Sequence, residues 1–536
     1  MPRNYGYSYG YHEDSWRDKL PSDSAMIKVG VGMVIALLLL FLVVLPIVDP
    51  LSGTKLMNTI TLAGMDILLW VTLIVSGSVA AYAFYRKSIF GGVAATLVAV
   101  LTIGGMVGYW MTDNYREDKK YLATGAVVMA DENAPLPGEF GIRAPQQIAA
   151  GTVNDSLGST QGEPMNMKYL GADSRYSSFV ERKMTMFGWS NTGYTSVVEQ
   201  VYDEKGVRSG TEQCYFSDEA NDYLGGPWWH SMEREISSID RSLTVESKDV
   251  WGYCDGETPK LVIPVFDRTG FFTPVMEPRG VVIYDGSTET FEHKTEIKAD
   301  ELPGPSVSIT YSEKLNRALH ALNANGVLEY NKGATGLTSE VKSQDDTNVA
   351  NASNFGLRNT ELGNVYVTPF TYRSATENVS YLGLMNANGT EGENAQKTVV
   401  YKLTPTMQSN AYLSSEIRTR FENIPWPSGL SIQEIVPQSD KVWVATIGNN
   451  KAVSYRVTIT VTASETDPET PRYGYKLERI SEDGNATPVA EGESGGESTE
   501  VVGGMNFTDM SEEELLQAIE DSAQVITDAS AELATR

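Results

Sequence analysis

The sequence predicts a membrane-anchored α+β protein. It has three transmembrane helices, then a β-rich extracytoplasmic domain of antiparallel hairpins with few helices, and a C-terminal amphipathic helix. Three observations carry this. Between Ile27 and Thr112 the chain holds three apolar runs of near-bilayer length. Beyond residue 165, period-two alternation and turn dipeptides replace them. Basic residues gather on one side of the apolar runs.

The first run, Val29 to Val48, and the third, Ile89 to Trp110, carry no charge and are each long enough to cross a hydrocarbon core of ~30 Å as a helix. The second is uncharged from Ile67 to Tyr85, which just spans; counted from Ile60 it includes Asp66. An ionised carboxylate at the bilayer centre costs ~2.5–3.5 kcal/mol on insertion scales, and the shorter count moves Asp66 to the interface. Three readings of Asp66 stay open: an interfacial acid, an intramembrane acid in an ion or proton path, and a hydrogen-bond acceptor between helices. The first run lacks the short core and small-residue cleavage site of a signal peptide.

Arg17, Lys19 and Lys28 precede the first run, and Arg86 and Lys87 lie between the second and third. The connection Asp49 to Asn58, on the other side, carries Lys55 alone. Positive residues stay inside, so the N-terminus is expected in the cytoplasm and the domain after Trp110 outside it, extracellular or periplasmic. In the third run Gly91 and Ala95, then Gly104 and Gly108, are small residues four apart. Such spacing lets helix backbones approach closely in lipid. It fits packing within one three-helix bundle, and it fits self-association.

The formal charge of −27 makes nucleic acid an improbable partner, because an acidic surface repels phosphate. The expected partners are the lipid bilayer and either further copies of the chain or other envelope proteins. Cys214 and Cys254 are the two cysteines. An even count in an oxidising compartment points to a disulfide; two buried thiols or a metal pair are the alternatives, and no neighbouring histidine favours the metal.

Seven segments follow. Residues 1–26 are a Tyr/Gly-rich tail without periodicity, expected to be disordered and cytoplasmic. Residues 27–112 form the transmembrane region. Residues 113–164, with Pro135, Pro137 and Pro145, read as a stalk or extended segment. Residues 165–330 and 331–481 are two β-rich exterior regions. The first contains a hairpin from Ser196 to Phe216 and a helix with Ser312 as N-cap and Leu315, Leu319 and Leu322 as its apolar stripe. The second contains the clearest hairpin, Lys441 to Val461 around Gly448-Asn449-Asn450, with a third strand over Arg472 to Ile480. Residues 482–510 are an acidic linker. Residues 511–536 form an amphipathic helix with a Ser511/Glu514 capping box.

Chemistry is weakly signalled. His230 and Glu233 are three apart and would share a helix face, but no third ligand is near in sequence. Gly188 to Gly193 approaches a nucleophile elbow and fails its spacing. Phosphate-binding loops, dinucleotide fingerprints and metalloprotease helices are missing from the sequence. No catalytic residue, cofactor or metal is assigned. The expected function is that of a multi-pass membrane-anchored structural or interaction protein, an envelope or surface assembly component. A subunit of a membrane transport or channel complex is the alternative, and a membrane-tethered extracytoplasmic hydrolase the second.

Overall fold

Asp49 and Pro50 start the first long helix. The Asp49 carboxylate accepts a hydrogen bond from the Ser52 amide at 2.8 Å, satisfying a donor that the first turn leaves unpaired. Pro50 takes the first helical position, where no amide is needed. The computed structural model describes residues 44–489 apart from 133, 158–161, 172–173, 183–192, 204–205, 227, 271, 340–354, 361–362, 375–377, 390–394, 450, 465–470 and 482–484. In it helix α1 runs Pro50–Tyr85 and helix α2 runs Ile89–Ala123, 36 and 35 residues long. At ~1.5 Å per residue each is over ~50 Å long. Both are long and apolar enough to cross a membrane. The first apolar run lies outside the described residues except for its end, where Leu45–Val48 forms one helical turn.

Two expectations change here. The connection Asp49 to Asn58 is helical, because the Asp-Pro pair is a helix start and no proline follows before Tyr85. The expected stalk begins as helix too: α2 continues past Trp110 and stops only at Gly125, whose φ of 73° ends it in the left-handed region. Later in the same stretch Gln146–Leu157 forms another helix.

The two long helices pack as an antiparallel hairpin. The inner face of α2 carries Gly92, Thr102 and Met106 buried, with Ala95 half-buried on the same stripe. Gly64, Ser76 and Ala80 are buried on α1. Much of the remaining surface is bare Leu, Val and Ile.

Among the described residues the β-rich part holds four sheets. One has Glu163–Tyr169, Arg175–Glu181, Tyr194–Tyr202 and Arg208–Tyr215 in sequence order. A second orders Thr290–Lys294, Val275–Asp285, Thr258–Thr269 and Thr244–Val245, with Trp251–Asp255 also on Thr258–Thr269. A third is built on Thr398–Gln408, Asn378–Asn386 and Gly363–Tyr372. The fourth is the meander Ser431–Pro437, Val442–Gly448, Val453–Ala463, Pro471–Ile480 and Ala486–Pro488. Pairing within these strands is antiparallel, except that Val127–Met129 lies parallel to Thr398–Gln408. Alternation explains the meander: Val457, Ile459 and Val461 face a core that Trp443, Ile435, Leu413 and Ile417 complete. The first and second sheets share another core, with Val197, Phe179, Ile263 and Tyr284.

Cys214 and Cys254 are at disulfide distance, with Cα atoms 5.8 Å apart. They join the first sheet to the second. The predicted helix near residue 312 exists, but its cap is one turn earlier: Ser308 accepts from the Tyr311 amide at 3.1 Å, and the helix runs Ile309–Ala318. Ser312 is buried inside it. The described residues of both exterior regions belong to one compact unit, which also includes α1 and α2. The tail 1–26, most of the linker 482–510, the expected helix 511–536 and residues 188–192 of the Gly188–Gly193 stretch lie outside the described residues.

Candidate functional site: the junction between the helical hairpin and the domain

The end of α2 is buried in the β-rich domain. Tyr121 is buried among Tyr169, Tyr176, Phe266, Met276, Tyr311, Leu315 and Tyr366, residues drawn from three sheets and the helix Ile309–Ala318. Its hydroxyl accepts from the Met276 amide at 2.8 Å. One turn earlier Asp118 is fully buried. Its carboxylate accepts from Arg317 Nε at 3.0 Å and from Tyr330 Oη at 2.7 Å. Glu117 beside it pairs with Lys314 at 2.9 Å and with Arg317. A buried carboxylate with several donors is held firmly, and removing a partner leaves an uncompensated charge. Lys120 Nζ donates to the carbonyls of Thr273 at 2.8 Å and Thr269 at 3.3 Å, fixing the loop between two strands of the second sheet.

The start of α1 is tied separately. Arg234, on the helix Met232–Ile239, donates to Asp49 at 3.1 Å. Thr54 Oγ1 donates to the Arg241 carbonyl at 2.9 Å, and Arg241 donates to the Ile47 carbonyl at 3.1 Å. Both long helices are therefore clamped by the domain at the ends remote from the turn Arg86–Ser88.

A second buried charged group ties the meander to the rest. Glu434 lies 3.2 Å from Arg143 and 3.8 Å from Arg358, all three nearly inaccessible. Arg143 also donates to the Phe355 carbonyl, and Arg358 to the Gly141 carbonyl. Burial, then the neighbouring Arg143, pushes the Arg358 guanidinium down to about 10. Two cations on one carboxylate make this a costly arrangement for anything but fixing how the segments meet.

Of the residues singled out in the sequence, Asp66 has the most definite place. Trp110 Nε1 donates to its carboxylate at 2.8 Å, linking α1 to α2. Each of the two lies about 30 Å of helix from the turn, one hydrocarbon thickness. Gly91 and Ala95 are half-buried, and a Cβ on Gly91 would come 3.6 Å from Ala83 of α1. Gly104 and Gly108 are exposed, and a Cβ there would meet nothing within 4 Å among the described residues. Glu233 is occupied by the Gly225 amide and the Ser231 hydroxyl rather than by His230. Among the described residues no group of three or more His, Cys, Asp or Glu could hold a metal ion.

A cleft of about 600 Å³ is lined by Asp255, Glu301, Asn364 and Asn388 among others. Asp255 and Glu301 pair with Lys260 and Lys294, and the Asn364 and Asn388 amide nitrogens donate to the Leu170 and Ala299 carbonyls, while both amide oxygens are buried without a hydrogen-bond partner among the described residues. The sequence reading missed the junction residues Glu117, Asp118, Lys120 and Tyr121. The helix itself is readable past Trp110, with no proline before Thr124, but not which of its side chains the domain covers. No family model, curated protein or solved structure matches the chain.

Proposed function

We propose that this chain is a multi-pass membrane-anchored structural or interaction protein that holds its β-rich domain rigidly at an extracytoplasmic surface, as a component of an envelope or surface assembly. One observation carries this reading: α2 passes without a break from a bare apolar segment into the buried core of the β-rich domain. A hinged linker is what a tethered enzyme or flexible receptor would use. A continuous helix closed by Tyr121 and Asp118 transmits position instead. The disulfide fits an oxidising compartment. Asp66 supports a lock between helices more than an ion path, since one of its carboxylate oxygens accepts from Trp110 Nε1 across the two helices.

Self-association belongs to this proposal. The open Gly104/Gly108 face suits close contact with another helix, supplied either by the first apolar run or by a second copy. Light scattering after size exclusion in mild detergent separates these. The wild-type chain is expected as a homo-oligomer, and Gly104→Leu, which adds bulk to that open face, is expected to shift it toward monomer. A monomeric wild type contradicts the assembly reading.

A further inference from the structure

Arg143, Arg358 and Glu434 come from three places in the chain. Arg143 precedes the helix Gln146–Leu157, Arg358 lies in the strand Gly356–Thr360 beside Gly363–Tyr372, and Glu434 lies in the first strand of the meander. All three are at or below 6% exposed. Their charges do not balance: two guanidinium groups face one carboxylate, at 3.2 and 3.8 Å. Arg456, on the same face of the meander, does not change this, because Glu478 stands opposite it on the next strand. The group holds one positive charge more than it can pair.

Hydrogen bonding leaves the same surplus. Arg143 Nη2 is shared between the Phe355 carbonyl and Glu434, and Arg358 Nη2 donates to the Gly141 carbonyl. Arg143 Nε, Arg358 Nε and Arg358 Nη1 are buried and meet no acceptor among the described residues. Native cores rarely leave such donors unmet, because each loses its water and gains nothing in return. Deprotonation offers no way out. Burial first, then Arg143, lowers Arg358 only to about 10, so it stays a cation at neutral pH. The Tyr169 ring, 5.6 Å from Arg143, attracts a cation with its face but carries no net charge. A water molecule would accept from the donors and leave the buried charge as it is. An anion satisfies both counts.

We infer that Arg143 and Arg358 bind one small monovalent anion of the size of chloride, which completes the junction between the meander and the rest of the domain. A single surplus charge matches a monovalent ion, and a doubly charged one would leave a negative charge buried in its place. The near-complete burial of all three side chains shuts out an organic acid, whose body would have to enter with its carboxylate. This inference does not depend on whether α1 and α2 cross a bilayer.

The test is thermal unfolding of the full-length chain in mild detergent at pH 7, prepared throughout in sodium gluconate, with chloride replacing gluconate at constant ionic strength. A ligand that binds only the folded state raises the midpoint with the logarithm of its concentration once above its dissociation constant. The wild-type midpoint is expected to rise with chloride and likewise with bromide. Arg358→Met, which removes the surplus charge and leaves the Arg143–Glu434 pair, is expected to lose that dependence. Arg420→Met, at an exposed pair with Glu416, is expected to keep it. A second measurement needs no variant to fold: crystals of the wild-type chain grown in bromide should show anomalous density in contact with the Arg358 guanidinium. A midpoint flat in chloride overturns the inference. A rise that Arg358→Met retains in full also overturns it, by placing the anion elsewhere. So does the lack of bromide density at the two arginines, which would leave water as the acceptor.

Discussion

His320 shows how one side chain sets a pH limit on the whole domain. It follows the buried Leu319, and Arg373 donates to its carbonyl at 3.3 Å. Burial first, then Arg373 and Arg317, pushes its imidazole down to about 4. In the unfolded chain it protonates near the ordinary value of about 6.5. Between these values the unfolded chain binds the more protons, so stability rises with pH there and falls as acid is added. Below about 4 this group adds no further loss. Thermal unfolding at pH 7 and pH 4.5 should show a smaller acid shift in His320→Gln than in the wild type; equal shifts would remove His320 as the cause. Asp118 is the opposite kind of residue, a buried charge that two donors keep in place. It was not visible in the sequence, because in the run Arg116-Glu117-Asp118-Lys119-Lys120 nothing distinguishes a carboxylate that faces water from one that faces Arg317.

At the scale of elements, legibility followed local rules. The Lys441 to Val461 hairpin was readable because strict alternation and a Gly-Asn turn agree, and the strands formed as Val442–Gly448 and Val453–Ala463. Leu315 and Leu319 were readable as a buried stripe, while the cap was not: Ser308 and Ser312 are one turn apart, and Ser308 is preferred because its hydroxyl also reaches Asp249 at 2.6 Å. Asp49-Pro50 starts a helix where hydropathy alone predicts a connection, because the cap and the proline at the first helical position act locally. The junction was illegible for a deeper reason: which sheet covers a helix end depends on contacts far apart in the chain, such as Tyr121 with Met276. The pairing of Cys214 with Cys254 links two sheets across a separation of 40 residues. Glu199 supports it, accepting from the Cys254 amide at 2.8 Å and from Arg175 at 3.0 Å. Loop closure of that length contributes up to ~4 kcal/mol in the chain-entropy model. The double variant Cys214→Ser/Cys254→Ser should unfold at lower denaturant by a comparable amount, read by tryptophan fluorescence of the full chain. An unchanged midpoint would mean that sheet packing alone holds the two together.

At the scale of the whole molecule, the described residues belong to one compact unit, a helical hairpin whose remote ends are clamped in a β-rich domain, with Asp66–Trp110 about one bilayer thickness from the turn. The cluster on Tyr121 joins three sheets to α2, and the Arg143–Glu434–Arg358 group joins the meander. Under the proposed function, such a unit would hold its domain at a set height above a membrane, as an envelope component requires. Everything in this account depends on the turn Arg86–Ser88 and the β-rich domain lying on opposite sides of a bilayer. Labelling intact and permeabilised cells with a membrane-impermeant thiol reagent, at Lys87→Cys in the turn and at Glu257→Cys in the domain, tests that directly. The account predicts that Glu257→Cys labels in intact cells and Lys87→Cys only after permeabilisation; labelling of Lys87→Cys in intact cells with Glu257→Cys silent, or of both alike, would contradict it.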